Sequence, residues 1–302
     1  MRKVRRFNRT VTQRVGALND AYLSRDRPLG QSRVLWEIGP HGCDVRALRS
    51  RLDLDSGYLS RLLRGLEADG LVEVGPGGGD GRVRTAKLTP AGRAERDLLD
   101  QRSDELANSI LAPLSPRQRD RLVAAMGEVE RLLIASMVEV AVCDPRHPWA
   151  RHCHQAYFEE LARRFDNGFD PDRSRRVDPA ELVPPAGLLL VATLHGDPVG
   201  CVSLRRQGAD QAGEVAEVKR MWVAPAVRGL GLGRRLLADL ESRAVAAGIG
   251  VLRLDTNRVL TEAIALYRSA GYQEIPAYND EPYAHHWFEK RLSPARPAPA
   301  PA

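Results

Sequence analysis

The residues with the clearest chemical meaning form one run, Arg228-Gly229-Leu230-Gly231-Leu232-Gly233-Arg234. It follows an alternating stretch over 216–223 that reads as a strand, and it opens a helical pattern over 231–247. Glycines at such a junction let backbone amides come close to an anion, and the N-terminus of the helix adds partial positive charge. The turn therefore suits a pyrophosphate. Spacing alone leaves open a dinucleotide-binding turn, which also uses strand, glycines and helix, and a tight turn with no ligand. Against the dinucleotide reading, an arginine leads the run, the run lies late in its half of the chain, and no clear βαβ unit precedes it.

With Val223-Ala224-Pro225 ahead of it, the Arg-x-x-Gly-x-Gly pattern resembles the acetyl-CoA loop of the GNAT acetyltransferases. The segment Ala263-Ile264-Ala265-Leu266-Tyr267-Arg268-Ser269-Ala270-Gly271-Tyr272 resembles that family's next motif, and Pro282 to Lys290 resembles its closing strand. The resemblance covers about residues 150–292. It implies acetyl-CoA as acetyl donor, with the backbone of 228–234 on the pyrophosphate and Trp222 and Val223 along the pantetheine arm. Tyr267 matches a tyrosine that donates a proton to the departing thiolate. A phenol of ordinary pKa near 10 is protonated at neutral pH and can do this. The plain alternative is a packing tyrosine beside Leu266. Glu217 stands where some members carry the carboxylate that deprotonates the amine, since an ammonium has no lone pair to attack with. An ion pair with Lys219 or Arg220 accounts for it equally well. Leu260 replaces the family's common asparagine, and Asn257 either compensates as a cofactor contact or closes a turn.

A second set of residues lies in the first half. Asp44 is placed to cap a helix over 45–51, and another helix follows Asp55, with Leu59, Leu62, Leu63 and Leu66 on one face. That face leaves Ser56, Tyr58, Ser60, Arg61 and Arg64 outside, hydroxyls and guanidiniums suited to base edges and phosphates in a major groove. A solvated helix face is the alternative for the two arginines. The run from Asp55 to Val72 resembles the recognition helix and first wing strand of MarR-type regulators, and Asp80-Gly81-Arg82, five residues, then Leu88-Thr89 matches that family's wing. The resemblance spans about 5–141. It implies double-stranded DNA as partner, a homodimer built from the terminal helices, and Arg82 near the minor groove with Asp80 bracing it.

The elements that must position these residues fall into two sets. Helices over 5–24, 32–38, 45–51 and beyond Asp55 precede a hairpin with a glycine-rich tip at 75–81, then long helices over 90–111 and 116–141. Past a proline-rich stretch at 143–148, a helix over 149–166 leads into alternating strands and helices, including a hairpin about His195-Gly196-Asp197. The expected fold is therefore multidomain: a mostly α winged helix-turn-helix domain over 1–142, then an α/β mixed-sheet acetyltransferase domain over 149–292. A Pro/Ala tail at 293–302 is expected to be disordered.

The net charge of +6 sits mainly in the first half, which fits a polyanionic partner there or equally a solvated arginine-rich surface. Four cysteines without paired spacing fit a reducing compartment, and no apolar run is long enough for a membrane span, so a cytoplasmic location is expected. Cys143, His147, His152, Cys153 and His154 lack the spacing of a zinc site, and no metal is expected. Function follows as DNA-binding regulation joined to acetyl-CoA-dependent N-acetylation of a small-molecule amine. Alternatives are a sensor domain without turnover and a protein-lysine acetyltransferase.

Overall fold

The computed structural model describes residues 1–17, 23, 27–77, 83–174, 177–210 and 213–292. Asp80 and Arg82, and the 293–302 tail, lie outside the described residues. The chain divides into two compact units between Val129 and Glu130.

The first unit begins with α1 (Arg2–Arg14), which buries no residue, and α2 (Leu29–Ile38), which buries Val34, Leu35 and Ile38. A two-residue strand β1 (Cys43–Asp44) leads into α3 (Val45–Leu52), where the Asp44 carboxylate accepts from the amides of Arg46 and Ala47. Asp53 closes α3 in the left-handed conformation, and Asp55 caps α4 (Ser56–Ala68) by accepting from the Tyr58 amide. The wing is β2 (Val72–Pro76) paired antiparallel with β3 (Arg84–Leu88), with β1 on the other side of β3. Thr89 caps α5 (Pro90–Leu111), and its hydroxyl also donates to the Gly70 carbonyl. A Cβ on Gly92 would stand 1.9 Å from the Leu71 carbonyl oxygen, so only glycine lets α5 pack on the start of the wing. The last helix, α6 (Pro116–Met137), spans the division between the units and buries no residue.

The helical pattern expected to run to 141 stops at Met137. Residues Glu139–Val142 form strand β4 instead, at the edge of a seven-stranded sheet. Val138, Val140 and Val142 alternate, and β-branched residues at period two favour a strand once a sheet edge is there to pair with. The proline-rich stretch expected to part the domains consequently lies between β4 and α7 (Pro148–Arg164), inside the sheet-bearing unit.

That sheet comprises β4, β5 (Gly187–Leu194), β6 (Asp197–Asp210), β7 (Gly213–Val223), β8 (Val251–Thr256), β9 (Gln273–Ile275) and β10 (His286–Arg291), in the order β4-β5-β6-β7-β8-β10-β9. Every pairing is antiparallel except β7 with β8. β5 is apolar from Gly187 to Ala192 because both its faces are covered there. Leu188, Leu190 and Ala192 pack with α8 (Leu232–Ala246) and α9 (Thr261–Ser269), while Leu189 and Val191 share a core with Ala150 and Cys153 of α7. The parallel pairing of β7 with β8 joins only Val215–Glu217 to Val251–Arg253. Past Glu217 the two strands separate, and the opening between them holds the site.

Candidate functional site

The glycine turn sits where β7 hands over to α8. Gly229 and Gly231 have φ of 80° and 75°, in the region that costs an L-residue strain, and Gly231 is the N-cap of α8. No described side chain caps that helix, so its first amides and its positive dipole end are available to an anion. Gly233 is needed for another reason. A Cβ there would come within 3.3 Å of Leu266 and 3.5 Å of Met221, so glycine lets α8 close on α9 and β7.

A groove of about 510 Å³ runs from this turn along the open side of β7. Arg228, Gly229, Gly231, Leu232, Gly233 and Arg234 line one end, and Trp222 and Val223 line its floor. Leu230 is the one residue of the run turned away; it packs against the core. Arg228 is braced by the Val223 carbonyl at 3.0 Å and the Glu160 carboxylate at 2.5 Å, and Trp222 donates its indole N–H to the same carboxylate at 3.0 Å. Arg234 ties α8 to the end of α9 through the Ser269 hydroxyl at 2.6 Å.

A second cavity, of about 300 Å³, adjoins the groove; Tyr157, Leu161, Met221, Leu260 and Ala263 line both. Tyr267 faces this inner cavity. It is 6% exposed and its hydroxyl lies 3.7 Å from the Met221 sulfur. Burial, and then the charge of Asp255, push its phenol above its ordinary value, so the proton stays on at neutral pH. Tyr157 is shifted the same way, by burial first and then by Tyr267 and Asp255.

Glu217 does not line either cavity. It is 1% exposed and held by Arg205 at 2.5 Å, Lys219 at 3.2 Å and the Tyr278 hydroxyl at 2.9 Å. Burial alone would raise its pKa, but the charges of Lys219 and Arg205 and the Tyr278 hydrogen bond outweigh burial and hold it below the usual carboxylate range. A buried carboxylate tied into ion pairs and a hydrogen bond is a poor proton acceptor, and this placement favours the ion-pair reading of Glu217 over that of a base. Among the strand carboxylates, Asp255 of β8 lines the inner cavity, bound to Lys219 at 2.6 Å and Asn279 at 2.9 Å. For Asn257 the contacts fit the second of its two readings, a turn. It lines the inner cavity and spends its amide on the Tyr283 carbonyl and the Val259 amide, closing a turn.

Glycine spacing could not show Tyr157, Glu160 or Arg164, yet all lie on the walls. Their signal was present: residues 157, 160, 161 and 164 share one helical face of α7, and a glutamate and an arginine on an inward face need partners. Neither His285 nor His286 lines either of these two cavities; His286 pairs with Glu274 at 2.6 Å.

In the first unit, Ser56, Tyr58, Ser60, Arg61 and Arg64 are all exposed on α4, while Leu59, Leu62, Leu63 and Leu66 are buried. The Arg61 guanidinium sits 5.6 Å from the Tyr58 ring centroid, and Arg64 donates to the Ser60 carbonyl. The α4 face is polar and cationic.

Fold and site define an α/β acyltransferase-type unit following a winged helix. The acetyltransferase (GNAT) family model matches residues 138–272, from the start of β4, and the MarR family model matches residues 26–83. The chain belongs to the GNAT acetyltransferase family through its second unit and carries a MarR-family winged helix in its first. It is 38% identical over 116 residues to the IAA acetyltransferase of Azospirillum brasilense, covering 38% of this chain and 74% of that protein. It is 29% identical over 134 residues to the aminoalkylphosphonate N-acetyltransferase of Salmonella typhimurium, covering 44% and 86%. Among solved structures, the reduced form of MarR from E. coli is 25% identical with a TM-score of 0.38, covering 41% of this chain and 93% of that one. Among the described residues no helix is long and apolar enough to cross a membrane.

Proposed function

We propose that the second unit transfers an acetyl group from acetyl-CoA to the amine of a small molecule, and that the first unit binds double-stranded DNA as a homodimer. The observation that carries the enzymatic reading is the continuity of groove and inner cavity, from the α8 N-terminus to the Tyr267 hydroxyl. The residues present fit the cofactor. Left-handed glycines and uncapped amides suit a pyrophosphate, and the apolar floor at Val223 and Leu266 suits an extended pantetheine chain. Acetyl-CoA, when bound, supplies an acetyl thioester as the acyl donor.

This chain's residues then have separable tasks. The turn 228–234 holds the phosphates, Trp222 and Arg228 are locked in place through Glu160, and Tyr267 holds a proton at its phenolic oxygen for the leaving thiolate. Leu260, at the junction of the two cavities, makes an apolar wall where an amide is usual, which helps exclude water there. A 300 Å³ cavity with aromatic walls supports a small acceptor over a protein lysine.

For the first unit, the exposed polar face of α4 supports entry into a major groove. Phe7 and Val11 of α1 and Val123, Met126 and Leu132 of α6 are exposed apolar side chains that pairing of two chains would cover. The wing residues Asp80 and Arg82 are part of the same proposed interface.

The deciding experiment incubates the protein with acetyl-CoA and a panel of amines and follows thiol release. Acceptor-dependent release supports the reading. Binding of acetyl-CoA without such release makes the unit a sensor.

A further inference from the structure

The inner cavity carries a cation that acetyl transfer does not itself call for. The register between β6 and β7 shifts between Cys201 and Ser203, and Arg220, inside that bulge, has a φ of 53°. In a regular strand successive side chains point to opposite faces; a bulge breaks that alternation. Here Lys219, Arg220 and Met221 all reach the same cavity. Two of these neighbours are cations, and their surroundings differ. Lys219 is answered by Asp255 at 2.6 Å and Glu217 at 3.2 Å. The partners of Arg220 are the His154 Nδ1 at 3.2 Å and the face of Phe158, 5.4 Å from its centroid. Burial, and then the charge of Arg220, depress the His154 pKa to about 4, so the imidazole is neutral at pH 7 and brings no counter-charge.

A partly buried guanidinium that faces an imidazole and a ring is costly to desolvate unless an anion meets it. Its planar fork matches a carboxylate with two parallel hydrogen bonds. Around it the wall is aromatic: Phe158 stacks on Phe169 at 5.6 Å, and Phe169 meets Tyr283 at 4.9 Å. Two further carboxylates line the same cavity, Asp172 and Glu281, the latter accepting from the Ser174 hydroxyl at 3.0 Å. They supply negative charge that suits the ammonium form in which an amine arrives. Another nearby cation, Arg173, stacks on Tyr283, is exposed and does not line the cavity.

We infer that the acceptor is zwitterionic, an amino acid or a close analogue whose carboxylate is held by Arg220 and whose apolar body lies against the aromatic wall. Arg220 is then the specificity-determining residue. The inference rests on the acetyltransferase reading above and narrows its substrate class. A plain amine leaves the guanidinium unanswered and forfeits that contact.

The test compares, at saturating acetyl-CoA, a set of amino acids including L-phenylalanine with their amides and their decarboxylated amines. For the best acceptor, kcat/KM for the acid is expected to exceed that of its amide by about tenfold or more, chiefly through KM, the size of one charge-assisted pair. Arg220→Gln should bring that ratio to about one, and Arg220→Lys should restore part of it, because a lysine keeps the charge without the fork. Amides or decarboxylated amines used as well as the acids by the wild-type protein would overturn the inference, as would an unchanged ratio in Arg220→Gln. The wild-type ratio decides even if the variants fail to fold. Should no amine release thiol, the acetyltransferase reading falls by itself. Calorimetry then judges the anion site: L-phenylalanine binding the wild-type protein about tenfold more tightly than its amide supports it, and equal or undetectable binding of both overturns it.

Discussion

The two adjoining cavities of the second unit are built by different means. The groove is made at its glycine-turn end by backbone: left-handed turns at Gly229 and Gly231 and the bare amides that open α8. The inner cavity is made by side chains from α7, β7, β8, α9 and the segments around Asp172 and Tyr283. A backbone site needs glycines at fixed spacing and so leaves a motif. A side-chain site needs only that distant residues converge, and its members are scattered over more than a hundred positions. In the first, the side chains between the glycines, Leu230 and Leu232, pack against the core and leave the turn to the backbone; the second changes chemistry with each side chain.

This contrast is tested hardest at Glu217. If it anchors Arg205, Glu217→Gln leaves a guanidinium that is 3% exposed with only Glu181 at 3.4 Å, and should cost about 3 kcal/mol, the usual penalty for breaking a buried pair. Thermal unfolding at pH 7 measures it. Because its folded pKa lies below the ordinary 4.5, the stability Glu217 contributes is complete above that value and disappears as pH falls through the folded one. The melting temperature of the wild-type protein should therefore drop more steeply in acid than that of the variant. An intact melting temperature with lost turnover would instead restore Glu217 as the base.

Tyr267→Phe should lower kcat by about 10²-fold, the lower range for a lost general acid, with acetyl-CoA affinity nearly intact. Because burial raises the phenol, its loss of proton should not depress kcat below about pH 10, the ordinary tyrosine value; a kcat limb falling at pH 8 that disappears in the phenylalanine variant would contradict this placement. In the groove, Gly231→Val should weaken acetyl-CoA binding by about tenfold, since a β-branched residue resists φ near +75° and the turn must rearrange. Calorimetry reads it, and unchanged affinity would mean the turn does not hold the phosphates. The smallest effect belongs to the first unit: Arg61→Ala should lower the slope of DNA affinity against salt by about one counterion if its guanidinium meets a phosphate. An identical slope would place Arg61 off the duplex.

Much of the local structure was legible in the sequence because its causes are local. Asp44 and Asp55 cap the helices they precede, and the four leucines of α4 turn inward and leave Arg61 and Arg64 in solvent. The end of the first half was misread for a nonlocal reason. Residues 138–142 continue a helical pattern acceptably, and only pairing of Glu139–Val142 with Leu190–Thr193, some fifty positions on, makes them a strand. Gly92 carried a meaning that no spacing displays, since the Leu71 carbonyl it accommodates comes from the hairpin.

By itself the sequence determined where a left-handed turn opens onto bare helix amides, because a glycine turn before a helix encodes its own backbone geometry. It also determined which residues the winged helix offers to solvent, through the period of its leucines. The tertiary structure alone decided which carboxylates face the inner cavity. Glu217 was the carboxylate the sequence offered, but β7 still pairs with β8 there and has parted from it beyond, where Asp255 lines the cavity. The same parting, with the bulge at Arg220, sets two adjacent cations toward one cavity and answers only the first with carboxylates. Burial and pairing are properties of position in three dimensions, and they separated residues that the sequence left equal.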